Sequence, residues 1–359
     1  MSTLHPHPAG PDDFMRQVIV FDHPGDGEII GSLHMPFAPG QSPHTLTVAA
    51  DNRAWLLEMG LFERGSPSDR ALECADFHGL AGLVHHGETR AQLLLVTNFI
   101  SALFFFDDIV DAGPAQVGLR PEPIQRCAEL MMAAVESGRG PSRALPAASW
   151  DLPAPHRRKL AAIARALADV TRRLRAETAP GALRHYIREM GEYFQGVVDE
   201  SLTRHGQAFS SRAAYERART KFSAMYACVE FAAVLRGLDL SPGSRSFIPY
   251  RRMVRSTNLY VSYVNDLFSY KKEHAQGEVS NLVMVLERAE GRSRSEAFAE
   301  ACRICDQLIH GYIEDRAQCR DLDLQAHAGI ELLEQWMRGN YDWYSSQTKR
   351  YVEAISTHC

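Results

Sequence analysis

Apolar positions recur at intervals of three and four along most of the chain, the spacing of an amphipathic helix. From Arg157 onward, Leu160, Ile163, Ala164, Leu167, Val170 and Leu174 form one such stripe. Comparable stripes predict helices over 52–62, 121–133, 183–204, 253–272, 280–289, 295–317 and 328–346, with a weaker one over 69–85. A further helical pattern runs over 213–238, with an interruption at Ser223. The segment 138–155 contains four prolines and reads as a loop. No repeated strand-like alternation stands out. About ten helices with little sheet predict an all-α body, and no Gly/Pro-rich linker divides it into two cores. Residues 1–48, rich in Pro, Gly and His, are expected to form an arm on which Val18-Ile19-Val20-Phe21 docks against a helical domain spanning 49–359.

The longest apolar run, Gln92 to Leu103, leads into Phe104-Phe105-Phe106-Asp107-Asp108-Ile109-Val110-Asp111. This predicts a buried helix that carries its acids at the C-terminal end. That placement is electrostatically costly. A helix C-terminus disfavours acids, the acids repel one another, and three aromatic rings desolvate them. A positive partner is therefore required. Asp107 and Asp111 share a helix face and can reach one ion, whereas Asp108 is rotated by roughly 100° and is free to bond a neighbour. Oxygen ligands of this kind suit Mg²⁺, an ion that commonly serves phosphorylated substrates.

Composition narrows the partners. There are 39 basic and 44 acidic residues, a net charge of −5, so nucleic acid is not favoured. The basic stripe of Arg157, Arg158, Lys159, Arg165, Arg172 and Arg173 reads as a solvated surface. Thr97, Asn98 and Ser101 interrupt the only run approaching a membrane span, and the N-terminus lacks the pattern of a signal peptide. Seven scattered cysteines fit reduced thiols and a cytoplasmic protein, with Cys302 and Cys305 as ordinary helix thiols.

A second polar cluster lies in 259–272. Asn265, Ser269 and Glu273 fall at i, i+4 and i+8, on one face over about two turns. An amide oxygen, a hydroxyl and a carboxylate make a hard-ion site of low charge, and Lys272 beside them can reach an anion held by that ion. Facing the first site across a bundle, the two could hold several Mg²⁺ ions around a diphosphate. Arg219, Lys272 and Arg350 are candidates for fixed positive charge, and Tyr351 can donate a hydrogen bond.

At these residues the chain resembles the microbial class I terpene synthases. Asp107-Asp108-Ile109-Val110-Asp111 matches their aspartate-rich DDxxD motif. Asn265-Asp266-Leu267-Phe268-Ser269-Tyr270-Lys271-Lys272-Glu273 matches NDxxSxxKE, and Arg350-Tyr351, after Trp343, matches a C-terminal Arg-Tyr pair. The resemblance covers roughly residues 50–355. It implies a single-domain helical bundle around a deep apolar cavity, an isoprenyl diphosphate substrate and three Mg²⁺ ions, two on Asp107 and Asp111 and one on Asn265, Ser269 and Glu273. Arg219, 46 positions ahead of Asn265, corresponds by spacing to the family's diphosphate-sensing arginine; with Lys272, Arg350 and Tyr351 it would hold the diphosphate. Ser223 stands where the family often has a glycine at a helix break, with Phe222 as its linking residue.

Cation-stabilising cavity rings are expected among Phe99, Phe104, Phe222, Tyr226, Phe268 and Trp343. No histidine pattern supports a protein general base. Farnesyl diphosphate and a sesquiterpene product are the leading expectation, with geranylgeranyl diphosphate and a diterpene as the alternative; a homodimer is common in such proteins. Two rivals remain. A prenyl-chain elongating synthase would carry a second DDxxD where Asn265, Ser269 and Glu273 stand, and a non-enzymatic helical interaction protein would not need two complementary ion sites.

Overall fold

Within the segment read as an arm, the first described residues form a two-stranded antiparallel sheet. The computed structural model describes residues 16–23, 27–110, 121–142, 145–147, 150–179, 181–205 and 209–350. Strand β1 (Arg16–His23) pairs antiparallel with β2 (Gly27–His34), in register from Arg16 opposite His34 to His23 opposite Gly27. The run Val18-Ile19-Val20-Phe21 lies within β1. Four successive apolar residues hide the alternation by which a strand is usually recognised. Leu33, Met35 and Phe37 then join the hydrophobic core.

Helix α1 (Thr45–Met59) begins inside the arm drawn to residue 48. It is followed by α2 (Pro67–Ala75), α3 (Phe77–Val84), α4 (Arg90–Val110), α5 (Pro121–Ser137), α6 (Ala154–Ala176) and α7 (Arg184–His205). The predicted 213–238 helix is two helices, α8 (Arg212–Phe222) and α9 (Met225–Leu235). A short α10 (Pro242–Ser246) leads into α11 (Ile248–Gln276), then α12 (Leu282–Glu290), α13 (Arg294–Gln318) and α14 (Leu324–Asp342), which runs into a π-helical turn at Trp343–Gln347.

The boundaries have local causes. Ser66 accepts the Asp69 N–H ahead of Pro67, starting α2. Ser293 and Glu296 form a reciprocal capping box at α13. Gly277, at φ 74°, ends α11 in the left-handed conformation, with N–H bonds returning to the carbonyls of Glu273 and His274.

Two helices form the interior frame. α4 packs against α1, α3, α6 and α9, and α11 packs against α8, α9, α12, α13 and α14. By length and composition α4 is apolar enough to cross a membrane, contrary to the expectation from Thr97, Asn98 and Ser101, but 78% of its most apolar window is buried inside the fold. Its hydroxyls are satisfied locally: Thr97 donates to the Leu93 carbonyl (2.6 Å) and Ser101 to that of Thr97 (2.8 Å). The hairpin covers α13 through β2. The basic stripe on α6 is only partly solvated, because Arg157 donates to the Leu145 carbonyl (3.1 Å) and Arg165 to that of Met59 (2.9 Å). All six described cysteines are free, and burial pushes the Cys302 thiol up to about 12, an inert state.

Packing at the α3–α14 crossing is tight enough to need glycine. A Cβ on Gly339 would sit 2.8 Å from the Leu83 carbonyl carbon and the Val84 nitrogen. Gly339→Ala should cost about 1–3 kcal/mol. Gly311→Ala in α13 would meet nothing within 4 Å and should be neutral or stabilising by up to about 1 kcal/mol. Denaturant or thermal unfolding of the two variants checks the contrast.

A buried ionic cluster joins α3, α9 and α14. Arg236 donates to Glu88 (2.7 Å) and Gln335 (2.6 Å), and His85 Nδ1 lies 3.2 Å from Glu88. Burial alone would raise the Glu88 carboxyl, but His85 and Arg236 overcome it and hold it at about 2. His85 is depressed chiefly by burial. Both folded values lie below the unfolded ones, so both contributions are present at neutral pH and are lost on acidification. The His85 contribution declines as pH falls below about 6.5, and that of Glu88, about 3 kcal/mol, is lost between about 4.5 and 2. Glu88→Gln should be less stable at pH 7 and show a shallower loss of unfolding free energy below pH 5 than the parent.

Candidate active site

Two acidic helix ends meet at the mouth of an apolar cavity. Asp107 and Asp108 lie in the last turn of α4, and Asn265, Ser269, Lys272 and Glu273 occupy the C-terminal half of α11. Mouth and interior together enclose about 730 Å³, of which about 120 Å³ is room for the centres of solvent-sized molecules. Asp107, Arg219 and Asn265 form its polar rim, and the walls include Leu80, Ile100, Leu103, Phe104, Phe222, Val261 and Trp336. A polar recess adjoins it, lined by Asp107, Arg219, Asn265, Lys272 and Glu273 together with Glu200, Arg204 and Glu278. Five of the residues singled out by sequence therefore share one mouth.

Asp266 organises that mouth. It is fully buried and accepts hydrogen bonds from the Tyr215 hydroxyl (2.6 Å), Arg219 Nη2 (3.0 Å) and the Leu282 N–H (3.0 Å). Arg219 also donates to Asn265 Oδ1 (2.8 Å), while the Asn265 amide donates to the Tyr344 hydroxyl (2.5 Å). Asn281 donates to the Asp266 carbonyl (2.7 Å) and to Glu273 Oε2 (2.9 Å). Burial raises the Asp266 carboxyl against the pull of Arg219 and Tyr215. Burial, then the charge of Asp266, pushes Glu273 up to about 7, opposed by Asn281 and Ser269. The Ser269 hydroxyl is fully buried beside it without a well-formed hydrogen bond.

The second acid of the first motif has a different partner. Arg350 Nη2 lies 2.7 Å from Asp108 Oδ1 and its Nη1 3.3 Å from Oδ2. Burial would raise Asp108, but Arg350, aided by Lys272 and Lys159, lowers it overall. The guanidinium also stands 5.0 Å from the Phe104 ring centroid. The tail is docked on α2, with Lys349 N–H donating to the Cys74 carbonyl (2.9 Å) and Thr348 Oγ1 to that of Ala75 (3.1 Å). Asp111 and Tyr351 lie outside the described residues. Among the described residues no cluster of three His, Cys, Asp or Glu stands ready for a metal.

Of the cavity residues expected, Phe104, Phe222 and Ser223 line it. Phe99, Tyr226, Phe268 and Trp343 do not. Phe99 is a core ring, stacked on Phe231 at 4.2 Å and edge-on to Tyr186. Tyr226 is half-buried on the other side of α9, near Arg255 and Glu189. Phe268 stacks on Tyr344 (5.3 Å). Trp343 backs the wall: its indole N–H donates to the Asp76 carbonyl (3.0 Å) and its ring meets Phe104 and Tyr344 at 5.8 and 4.7 Å. Tyr193, Cys228, Trp336, Asn340 and Tyr344 are wall residues that ring chemistry alone did not single out. Helical spacing carried the missing signal. Counting back from Asp107 by threes and fours reaches Phe104, Leu103 and Ile100, and Trp336, Asn340 and Tyr344 are four apart.

The α8–α9 break is genuine although no glycine makes it. Ala224 takes φ 58°, ψ −1°, a left-handed conformation that costs a residue with a Cβ about 1–2 kcal/mol. Phe222, Ser223, Ala224 and Met225 all line the cavity there.

Residues 98–310 match the family described as "Terpene synthase family 2, C-terminal metal binding". The 10-epi-cubebol synthase of Sorangium cellulosum is 28% identical over 330 residues, covering 90% of this chain and 98% of that protein. The (+)-T-muurolol synthase of Roseiflexus castenholzii, described as cyclising (2E,6E)-farnesyl diphosphate, is 26% identical over 329 residues, covering 90% and 94%. Among solved structures, germacradien-4-ol synthase from Streptomyces citricolor shares the fold with a TM-score of 0.72 at 22% identity, over 87% of this chain and 97% of that one. The chain belongs to terpene synthase family 2 and is a terpene synthase with the all-α class I fold.

Proposed function

We propose that the protein ionises a linear isoprenyl diphosphate in a Mg²⁺-dependent reaction, releases diphosphate and cyclises the carbocation. Farnesyl diphosphate, leading to a sesquiterpene, is the substrate best supported. The observation that carries this reading is the convergence of Asp107, Arg219 and Asn265 on the rim of an apolar cavity, with Lys272 and Glu273 in the adjoining recess. The substrate assignment rests on the Roseiflexus relative, whose description gives farnesyl diphosphate.

The donor set suits a hard divalent ion. Asn265 Oδ1, the Ser269 hydroxyl and the Glu273 carboxylate are oxygen ligands on one face of α11, and Asp107, with Asp111, would hold ions on the opposite side. A cation there would lower the raised Glu273 carboxyl and engage a hydroxyl that lacks a well-formed bond. When bound, such ions would neutralise negative charge on the diphosphate as it leaves.

The chain's own residues supply the remainder. Arg219, Lys272, Arg350 and Tyr351 would bind the diphosphate oxygens through charge-assisted hydrogen bonds, which strengthen as the allylic C–O bond ionises. Phe104 and Phe222 place aromatic rings in the wall, which stabilise a cation without offering it a nucleophile. Leu80, Ile100 and Val261 exclude water, so the cation rearranges before it is quenched. The proton lost at the end passes to the diphosphate or to water.

Incubation with Mg²⁺ and, separately, geranyl, farnesyl and geranylgeranyl diphosphate, followed by gas chromatography with mass detection, tests the assignment. A cyclic C15 product from farnesyl diphosphate is expected, and chelation with EDTA should abolish it. A cyclic C20 product instead would transfer the assignment to a diterpene synthase, and longer linear diphosphates formed with isopentenyl diphosphate would indicate an elongating synthase.

Asp107→Asn and Asn265→Ala should each lower turnover by about 10²–10³-fold, the scale of losing one transition-state electrostatic contact. Helical circular dichroism should be retained. Full activity in both variants would remove the ion-site argument.

A further inference from the structure

The break between α8 and α9 is held by a side chain outside every motif so far used. Asn258, in the N-terminal half of α11, is fully buried. Its Oδ1 accepts the Ser223 hydroxyl (3.0 Å) and, more weakly, that of Ser262 (3.4 Å). Its amide donates to the Thr220 carbonyl (3.0 Å), one of the carbonyls that the end of α8 leaves without a helical partner. The Ser223 hydroxyl in turn accepts the Met225 N–H (3.2 Å) across the strained Ala224. One amide thus grips both the last turn of α8 and the residue at which the chain reverses into α9. The donor–acceptor pattern also fixes the amide orientation, since carbonyl and amide each face a matching group.

We infer that Asn258 is a positioning residue that holds the Ser223–Ala224 break in its cavity-lining conformation and keeps the Ser223 hydroxyl turned away from the reacting carbocation, so that it determines which products form. This rests on the cyclisation reading above. Ser223 has one proton and two lone pairs. Asn258 takes the proton and the Met225 N–H takes a lone pair, so the oxygen is oriented along the backbone. Phe222, Ser223, Ala224 and Met225 all line the cavity, and Ser262, the other partner of Asn258, does too. A shift of the break would therefore move several contacts on the hydrocarbon at once. Left-handed Ala224 has no glycine-like freedom, so its conformation persists only where neighbours over-determine it. Asn258 makes no contact with the polar recess, which separates its role from diphosphate binding.

The test compares the parent protein with Asn258→Leu, of similar size but without hydrogen bonds, and with Ser223→Ala. Two measurements are made: hydrogen exchange of the 220–230 segment, and the product distribution from the substrate that the parent turns over with Mg²⁺. Asn258→Leu is expected to speed exchange in that segment by at least ten-fold. The share of the main product should fall at least two-fold in favour of other hydrocarbons or alcohols, while KM changes by less than three-fold. Ser223→Ala should shift the products in the same direction, and the double variant should be no worse than Asn258→Leu alone, since both remove one linkage. If Asn258→Leu does not fold, Ser223→Ala decides: faster exchange with altered products supports the inference, and parental exchange with parental products overturns it. Faster exchange with unchanged products would overturn the positioning role and leave Asn258 a structural clamp. A parent protein that turns over no isoprenyl diphosphate would overturn the functional reading and this inference with it, whatever the exchange result.

Discussion

One buried carboxylate carries the active end of the bundle. Asp266 sits on α11 but takes its hydrogen bonds from Tyr215 and Arg219 on α8 and from the first N–H of α12. Its removal from water is costly, and an ion pair with Arg219 alone would recover that cost only in part. The additional donors are what make the arrangement tenable, because both carboxylate oxygens find partners, Oδ1 in Arg219 and Oδ2 in Tyr215 and the Leu282 N–H. The consequence reaches beyond stability. Arg219 held on Asp266 is also held on Asn265, and Asn265 is held on Tyr344 beyond it. A group that needs a defined place at the cavity rim thereby obtains it from a residue that does not line the cavity.

The same logic sorts the two described acids of the first motif. Asp107 faces both cavity and recess, whereas Asp108, one residue on, is committed to Arg350. The 100° step between neighbours on a helix is sufficient to give adjacent carboxylates different duties. Because Arg350 belongs to the segment docked on α2, its pairing with Asp108 ties the C-terminal tail to the end of α4 over the ring of Phe104. The electrostatic penalty read from the sequence, acids at a helix C-terminus beside three rings, is thus met partly by a cation from the far end of the chain.

How much of this was legible beforehand depended on whether the signal was periodic or relational. The helices were legible because each buries one stripe, and apolar residues spaced by threes and fours report that stripe directly. The hairpin was not, because Val18 to Phe21 is apolar at every position and its flanks are Pro, Gly and His. The polar residues of α4, α8 and α11 that meet at the mouth were legible from their spacing and residue types. Asp266 lies inside the second motif yet off the Asn265–Ser269–Glu273 face, so face geometry passed over it. Four of the six rings expected in the cavity lie outside its lining, because an aromatic residue does not say which neighbour it meets. Phe99 is absorbed by Phe231 and Tyr186, and Trp343 by Asp76 and Phe104. The π-helical turn adds a further displacement: Thr348 N–H returns to the Trp343 carbonyl, five residues back, so the periodicity of α14 no longer predicts the facing of residues beyond Tyr344.

Polar and apolar demands are separated along single helices rather than between them. On α11 the half before Asn265 gives the cavity Val261 and Ser262, and the half after it gives the recess Lys272 and Glu273. On α4 Ile100, Leu103 and Phe104 precede Asp107 on the same face. A substrate with a charged head and a hydrocarbon tail would lie along both helices, head toward their C-terminal ends. Those ends carry the negative pole of the helix dipole, so an anionic head is unwelcome there unless cations intervene. Under the proposed function, affinity of the mouth for a diphosphate would be conditional on positive charge, for which Arg219, Lys272 and the Arg350 tail stand near the same acids that would recruit metal ions. On that reading, ionisation would be coupled to assembly of the whole cationic set, and a substrate that failed to gather it would keep its C–O bond.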